Sequence, residues 1–404
     1  MTDSGDLVSS DPQPVRGDYG GPVTGPRDVL REREQPDLFA PPLTDSGLMP
    51  NLKFSFSDAH NKLCRGGWTR EVTMMELPVA RDLAGVQMHL NAGNPSGARE
   101  MHWHVENEWQ IMLQGSARVT LVDAQGRTMA ADINEGDLWY FPAGLPHSIQ
   151  AHEGGCEFLL VFDDGAFSED KTFMLTDWLR RTPRDVLAKN FGVAEADLAP
   201  LPDHELYIFE APAPPPLPSD DVAGPAGVIP DALFFRPSEW DATEFAGGRV
   251  LIVDSSNFPA SKTIATAIVE VEPGGMRELH WHPNADEWQY YIQGEARMTV
   301  FNTPDSARTF SYRAGDVGYV PKMYGHYVEN IGNTPLRFLE MFKSDHFADV
   351  SLTNWLALTP PELVQAHLGL SDATMAVIRK GAVKPVIVGA NPAAPVKHVT
   401  EAGG

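Results

Sequence analysis

The residues best suited to chemistry in this chain form two groups, each of three histidines and one glutamate. In each group two histidines flank a tryptophan, a glutamate follows, and a third histidine lies much further along the chain. Alternate side chains of an extended strand point to the same side, so the paired imidazoles face the same way. Imidazoles and a carboxylate closing on one ion make a mixed nitrogen and oxygen site that suits divalent first-row metals. The groups are His102, His104, Glu108 and His147, and His280, His282, Glu287 and His326.

One pair of histidines two residues apart is weak evidence for a metal site. A buried histidine that is satisfied by a hydrogen bond is more common than a histidine ligand. Here the pair occurs twice, and each copy has its own glutamate and its own distant histidine. The repeated pattern therefore predicts two metal sites.

The repetition extends well beyond the candidate ligands. Gly115 and Gly294 begin similar segments 179 residues apart (294 minus 115), and His147 and His326 are separated by the same 179 residues (326 minus 147). A constant offset of this size indicates a duplicated domain, because solenoid repeats are only about 20–50 residues long. Two copies of one module also agree with a length of roughly 150 residues per domain.

The composition narrows the functional classes. The chain has 404 residues, and its 31 Lys and Arg against 55 Asp and Glu give a formal net charge of −24. Such a chain repels phosphate backbones and anionic lipids, so neither nucleic acid nor a membrane surface is an expected partner. No segment is apolar and long enough for a signal peptide or a membrane span, so a cytoplasmic location is expected. The two cysteines, Cys64 and Cys156, indicate no disulfide framework.

Short strands are predicted to position the histidines. Over residues 52–163, short apolar or alternating runs are separated by turn residues, and 232–345 repeats this pattern. Regularly spaced short strands are typical of an all-β sandwich or barrel. Helical spacing follows from Leu175 to Phe191, with Thr176 as the predicted cap, and 351–380 repeats it.

Pro-rich and Gly-rich stretches separate the modules. The N-terminal stretch indicates an extended arm, either disordered or packed onto another surface. The predicted boundaries are 1–50 for the arm, 51–210 for the first module with its helical segment, 211–231 for a stiff Pro-rich linker, 232–382 for the second module with its helical segment, and 383–404 for a tail.

The spacing of glycine, histidine and proline in both modules resembles the two sequence motifs of the cupin superfamily. The resemblance implies an all-β fold of two tandem cupin barrels (double-stranded β-helix or jelly-roll type) with short helical appendages and a metal inside each barrel. Met323 departs from the motif, because the first module has Gly144 there. The matching residues, besides the eight candidate ligands, are Gly97, Gly115, Gly136, Pro142 and Gly144, and Gly275, Gly294, Gly315 and Pro321.

From about residue 45 to 380 the chain is similar to the manganese-dependent bicupin oxalate decarboxylase family. The resemblance is carried by long segments, among them 99–104, 136–142, 145–150, 162–169 and 277–282. It implies two Mn²⁺ per chain, dioxygen as co-catalyst, oxalate as substrate and formate with CO₂ as products. It also implies a homo-hexamer, a dimer of trimers, with contacts made by the helical segments.

The chemistry of oxalate explains these requirements. Direct cleavage of its C–C bond would leave a formyl carbanion with no group to delocalise the charge. Removing one electron first makes loss of CO₂ easy and leaves a formate radical anion that needs an electron and a proton. The reaction therefore requires a redox-active metal with open positions, an electron acceptor, a cation for the carboxylate and a proton donor.

The resemblance assigns the cation and the proton donor. Arg99 matches the arginine that polarises the substrate, since a guanidinium binds a carboxylate through two hydrogen bonds. Strict alternation would place Arg99 opposite His102, so this role needs a bulge or a loop; the alternative is a surface ion pair. Glu169 matches the general acid of a mobile lid, and the alternative is an ordinary exposed glutamate.

The lid sequence departs from that of the family. The family pattern is Ser-Glu-Asn-Ser, whereas this chain has Ser168-Glu169-Asp170-Lys171. Without the proton from Glu169, the radical would be oxidised to a second CO₂ with formation of hydrogen peroxide. Asp170 and Lys171 therefore leave the balance between decarboxylation and oxidation open.

The two predicted sites differ. Glu340 stands where the first module has Leu160, so it is expected near Arg277 as a candidate proton relay. The second module lacks the Ser-Glu lid, which favours the N-terminal site as catalytic and the C-terminal site as structural or auxiliary. Packing or subunit contact is favoured over electron transfer for Trp103, Trp139 and Trp281.

The predicted function is that of a carboxy-lyase, a Mn- and O₂-dependent oxalate decarboxylase. The nearest alternative is an oxalate oxidase on the same scaffold. A non-catalytic binding bicupin is disfavoured because all eight candidate ligands are present. A dioxygenase using Fe or Ni on an aromatic substrate is disfavoured by the arginines, Arg99 and Arg277, and by the family resemblance.

Overall fold

Antiparallel strands make up most of the fold. A computed structural model describes residues 11–217, 224–380 and 386–396. The strands of the first half are β1 (Val15–Arg16), β2 (Tyr19–Gly20), β3 (Lys53–Ser55), β4 (Lys62–Cys64), β5 (Gly67–Val72), β6 (Ala84–Leu90), β7 (Ser96–Trp103), β8 (Glu108–Val122), β9 (Thr128–Asn134), β10 (Leu138–Phe141), β11 (His147–Phe162), β12 (Phe173–Met174) and β13 (Ile208–Ala211).

The second half repeats this arrangement with shorter strands. They are β14 (Phe234–Phe235), β15 (Thr243–Phe245), β16 (Gly248–Val253), β17 (Ala265–Val271), β18 (Met276–Trp281), β19 (Glu287–Gln293), β20 (Glu295–Asn302), β21 (Ser306–Arg313), β22 (Asp316–Val320), β23 (Gly325–Asn330), β24 (Leu336–Phe342), β25 (Val350–Ser351) and β26 (Ile387–Val388). The predicted pair of all-β barrels with short helical appendages is confirmed.

Short helices lie outside the barrels. They are α1 (Val29–Glu34), α2 (Pro36–Phe39), α3 (Leu175–Arg181), α4 (Arg184–Phe191), α5 (Leu352–Leu358), α6 (Pro361–Leu368) and α7 (Asp372–Lys380). None of the helices in the described parts of the chain is long and apolar enough to cross a membrane.

The helical segments are more divided than the sequence pattern predicts. The stretch from Leu175 to Phe191 breaks between α3 and α4 at Pro183, because proline lacks the N–H group that would continue α3. The prediction that Thr176 caps this segment is wrong. Met174 is the N-cap residue, and Thr176 lies inside α3, where its backbone N–H donates to Glu100 Oε1 at 2.7 Å.

Glycines allow the long strands of the first barrel to bend. β8 and β11 pair along most of their length, with an irregularity between Ala151 and Cys156. Gly115 lies opposite this point at φ +77°, and a Cβ atom there would approach the Gly155 carbonyl oxygen to 2.1 Å. A larger residue would therefore disturb the strand crossing that brings Glu108 and His147 to the same end of the barrel.

The two modules exchange strands. β14 follows the predicted linker but pairs with β10 of the first module. β3 lies at the start of the first module but pairs with β22 of the second. One cluster of buried apolar side chains also runs from the first barrel to Trp288 and Tyr290 of the second. The two repeats therefore share sheets and core.

The N-terminal arm, where described, packs on the second barrel. Ser46 bridges to Ala307, and the backbone N–H of Thr309 donates to Asp45 Oδ2 at 2.8 Å. Of the two expectations for 1–50, these contacts support packing onto another surface for the part of the arm around Asp45 and Ser46. The predicted linker and tail fall partly outside the described residues, at 218–223, 383–385 and 397–404.

Candidate metal centres

The first group of predicted ligands converges inside the first barrel. His102 lies at the end of β7 and His104 follows directly after it, while Glu108 begins β8 and His147 begins β11. One ligand atom from each of the four lies within 4.8 Å of the others, and all four residues are buried. Three neighbouring strands thus deliver nitrogen and oxygen donors to one point.

Backbone carbonyl groups orient the imidazoles. His102 Nδ1 lies 2.5 Å from the Glu100 carbonyl oxygen, and His147 Nδ1 lies 2.9 Å from that of Leu145. If each Nδ1–H donates to its carbonyl, the lone pair remains on Nε2. Burial and the charge of Arg99 lower the pKa of His102 well below its usual range, which keeps this imidazole neutral.

The donor atoms fit a cation. Among the described residues, His104 Nε2, His147 Nε2 and both Glu108 oxygens are buried without a hydrogen-bond partner, and such orphaned atoms are rare in folded proteins. Although burial opposes ionisation, the neighbouring imidazoles of His104 and His147 lower the pKa of Glu108 to about 2. Imidazole nitrogens around an ionised carboxylate form the donor set of a first-row metal site.

The second group repeats this arrangement. Its four ligand atoms also lie within 4.8 Å of one another and are buried. Carbonyl oxygens of Glu278 and Tyr324 lie 2.6 Å and 3.0 Å from Nδ1 of His280 and His326. All eight predicted ligands are therefore brought together, four in each barrel.

The first barrel has the bulge that the predicted role of Arg99 requires. His147 pairs with His102, and Ile149 pairs with Arg99. These two pairs are two positions apart along β11 but three positions apart along β7, so β7 has one extra residue between them. The extra residue shifts the alternation of side chains. In the second barrel Arg277 pairs with Val328 and His280 pairs with His326, so β18 has the same extra residue. Both arginines are buried.

Glu169 faces Arg99. It begins a short 3₁₀ helix, Glu169–Lys171, and is only 7% exposed, which excludes an ordinary surface glutamate. Arg99 Nη2 donates to Glu169 Oε2 at 3.0 Å. The predicted lid residue is therefore in contact with the predicted substrate-binding arginine.

Tyr207 completes this contact, and no sequence motif pointed to it. Its hydroxyl group donates to Glu169 Oε2 at 2.6 Å, and its ring lies 4.1 Å from the Arg99 guanidinium carbon. Burial and the negative charge of Glu169 raise the pKa of Tyr207 well above its usual range, so the phenol keeps its proton. Tyr207 lies beyond the helices, and only the pairing of β13 with β7 brings it back to the site.

The second arginine contacts two carboxylates. Arg277 Nε donates to Glu340 Oε1 at 3.1 Å, which places Glu340 where the sequence comparison predicts it. Arg277 Nη2 also donates to Asp349 Oδ2 at 2.7 Å. No sequence motif marks Asp349. Ser351 pairs with His280 as Met174 pairs with His102, so Asp349 is the counterpart of Thr172.

A turn without glycine supports the second centre. Met323 adopts φ +71°, close to the +76° of Gly144. Its backbone N–H donates to the His282 carbonyl oxygen at 2.9 Å, as Gly144 donates to that of His104 at 2.8 Å. The departure from the motif therefore preserves the turn, in a conformation that side chains rarely adopt.

The tryptophans beside the ligands make packing contacts. Trp103 stacks on Phe173 with a centroid separation of 5.3 Å, and Trp139 is fully buried against Phe158. Trp281 contacts Trp355 edge to face at 5.7 Å. Packing thus accounts for all three predicted tryptophans.

Comparison with known proteins agrees with the fold and the duplicated site. The Cupin family matches residues 55–198 and 234–376, one copy in each module. The fold and the paired His/Glu groups thus define a cupin protein with two domains.

The relatives are more specific. Oxalate decarboxylase OxdC of Bacillus subtilis (strain 168) is 58% identical over 369 residues, covering 91% of this chain and 95% of the relative. A probable oxalate decarboxylase of Arthroderma benhamiae is 40% identical, with 91% of each chain covered. A solved structure of the B. subtilis enzyme at pH 4.6 gives a TM-score of 0.91 at 57% identity, covering 94% of this chain and 98% of that one. Another concerns the Mn(II) centres of that enzyme. The chain belongs to the bicupin oxalate decarboxylase family.

Proposed function

We propose that this protein converts oxalate into formate and CO₂ at its first centre, with Glu169 as the proton donor. The observation that carries the proposal is the buried contact between Glu169 and Arg99, 3.0 Å long, beside four inward-facing donor atoms. The 58% identity to a B. subtilis oxalate decarboxylase supports the choice of substrate.

His102, His104, Glu108 and His147 would hold Mn²⁺ in the first barrel, and the corresponding four residues would hold a second Mn²⁺. Bound there with dioxygen as co-catalyst, the metal supplies Lewis acidity and the one-electron chemistry that the cleavage requires. The orphaned donor atoms of both groups support this loading.

Arg99 binds one carboxylate of oxalate. Its Nη1 group donates to the Tyr207 carbonyl oxygen at 3.1 Å, which fixes the guanidinium plane. Because Glu169 already occupies Nη2, an incoming carboxylate competes with Glu169 for the same charge. Lid opening thus exposes the arginine, and closure returns Glu169 to a position beside the bound substrate.

Glu169 delivers a proton to the decarboxylated carbon. Both Arg99 and Tyr207 donate to Oε2, which leaves Oε1 as the oxygen without these donors and therefore the one proposed to carry the transferred proton. Proton transfer from Oε1, together with return of the electron that was removed before decarboxylation, would give formate. A closed lid also keeps water away while the proton moves. Asp170 and Lys171, unlike Glu169, are exposed.

The second centre has an auxiliary or structural role. Its arginine contacts Glu340 and Asp349 at once, and neither lies on a Ser-Glu lid. A further carboxylate about 4 Å away opposes an incoming anion by about 4 kcal/mol at an effective dielectric constant of 20. Burial raises the pKa of Glu340, which suits its proposed use as a proton relay.

Oxalate oxidase remains the rival function, because it differs only in the fate of the radical. With the Mn-loaded protein and oxalate at mildly acidic pH in air, we expect about one formate per oxalate and only traces of peroxide. Glu169→Ala should shift the products towards peroxide by on the order of 100-fold, since a positioned acid contributes about 10²–10⁴-fold. Stoichiometric peroxide from the unmodified protein would establish the oxidase instead.

The active form is proposed to be a cytoplasmic homo-hexamer, a dimer of trimers. Trp178 on α3 and Trp355 on α5 are 62% and 58% exposed. Large exposed aromatic side chains are typical of association surfaces. Light scattering on the full chain should give the mass of six subunits.

A further inference from the structure

Glu71 lies beneath the lid of the first site. It belongs to β5, and its Oε2 accepts a hydrogen bond of 3.3 Å from the backbone N–H of Glu169. The charged groups that face it are carboxylates, namely Glu76 on the turn after β5 and Glu169 and Asp170 on the lid. Within the described residues Glu71 forms no ion pair, so no cation fixes its charge.

The second module lacks both the Ser-Glu lid and this carboxyl group. Glu71 pairs with Val86, and Ile252 pairs with Ala267 at the corresponding place on β16. A cavity of about 830 Å³ lies beside the second centre, lined by Ile252, Phe347 and Asp349 among others. A carboxyl group at this position is therefore present in the module that has the Ser-Glu lid and absent from the module that lacks it.

The protonation state of Glu71 depends on the lid. Burial raises its pKa from 4.5 to about 7; the Glu169 N–H opposes this rise and the Glu169 carboxylate adds to it. An open lid would return Glu71 to water and to its ordinary pKa of 4.5. The closed state therefore binds the proton of Glu71 more tightly than the open state does. This contribution to lid closure is complete below about pH 4.5, weakens as the pH rises and is lost above about pH 7.

We propose that Glu71 is a positioning residue that holds the lid closed while its carboxyl group is protonated and releases the lid when it is ionised. A protonated carboxyl group still accepts the Glu169 N–H through its carbonyl oxygen, but it no longer repels the Glu169 carboxylate. The consequence for product formation rests on the proposed function of Glu169, whereas the lid movement itself does not.

Hydrogen exchange of the lid tests this directly in the full-length, Mn-loaded protein without oxalate. The amides of residues 166–172 are followed from pH 4.5 to 8 and corrected for intrinsic rates. In the unmodified protein, protection should fall by up to tenfold per pH unit towards pH 7 and then level off. Glu71→Gln, which keeps the acceptor without the charge, should give protection that is independent of pH.

Two further variants make the test specific. Glu71→Ile, the residue of the second module, removes the acceptor and should leave the lid poorly protected at every pH. Glu244→Gln removes the same charge from an exposed position in the second module and should behave like the unmodified protein. Equal pH dependence in Glu71→Gln and the unmodified protein would overturn the proposal, as would full lid protection in Glu71→Ile.

Product analysis then links the lid to catalysis. Glu71→Gln should keep its ratio of formate to peroxide at neutral pH, where the ratio of the unmodified protein falls. If Glu71→Gln changes the exchange profile as expected but the unmodified protein makes no formate, the role of Glu71 in lid closure stands and the proposed function is rejected. If the unmodified protein makes formate but its exchange profile is the same as that of Glu71→Gln, only the role of Glu71 in lid closure is rejected.

Discussion

At the scale of single residues, the two centres have the same donor set and differ in what contacts the arginine. Arg99 meets one carboxylate, Glu169, and that residue lies on the lid. Arg277 meets Glu340 and Asp349, which come from β24 and from the segment before β25. Arg99 is therefore paired with one carboxylate on the lid segment, whereas Arg277 is paired with two carboxylates outside any such lid.

Replacing both carboxylates by their first-module counterparts should open the second centre to oxalate. In the Glu340→Leu and Asp349→Thr double variant, Arg277 is left buried without a partner, which costs on the order of 3–5 kcal/mol of folding free energy. Oxalate should restore part of this loss. We expect two oxalates bound per chain by anaerobic calorimetry and a rise in Tm with oxalate.

The matched comparison is the unmodified protein, which should bind one oxalate per chain under the same conditions. A double variant that folds, loads both metals and still binds a single oxalate would show that the carboxylates on Arg277 do not control access. Metal content has to be measured in both proteins, because Glu340 lies close to the second donor set.

At the scale of elements, the sequence was sufficient where a short local pattern determines the structure. Alternation in the His-Trp-His segments predicts both strands, and the need for a bulge at Arg99 follows from the same rule. Tyr207, Asp349 and Glu71 escaped prediction because no motif marks them. Each reaches its site only through strand pairing or loop return, which a local pattern does not encode.

The turn at Met323 offers a test of element stability. An L-residue at φ +71° pays about 1–2 kcal/mol of backbone strain, while glycine loses about 0.4–1 kcal/mol more in chain entropy. Met323→Gly should therefore raise the free energy of unfolding by about 0.5–1 kcal/mol. Gly144→Met, which meets open space at the equivalent turn, should lower it by a similar amount. Denaturant unfolding of both variants measures the two changes in the free energy of unfolding. Changes of the same sign would contradict the strain argument.

At the scale of the whole molecule, the two repeats share sheets and an apolar core. β3 and β14 each complete a sheet of the other repeat, and Trp288 packs in the same apolar cluster as the first barrel. The sequence revealed the duplication through its constant offset. It did not reveal the exchange, because β3 and β14 are short and lie outside the repeated motifs.

Shared sheets and a shared core predict a single unfolding transition, and Gly85 gives a way to probe it. A Cβ atom at Gly85 on β6 would lie 2.5 Å from the Trp288 ring of the second module, where both residues are buried. Gly85→Ala should therefore overpack the junction and cost about 1–3 kcal/mol. Because each module depends on the other, calorimetry should show one transition at a lower Tm. Gly154→Ala, which meets open space at an exposed position of β11, controls for the glycine change itself. Two separate transitions, of which only one moves in Gly85→Ala, would mean that the modules fold independently despite the strands they exchange.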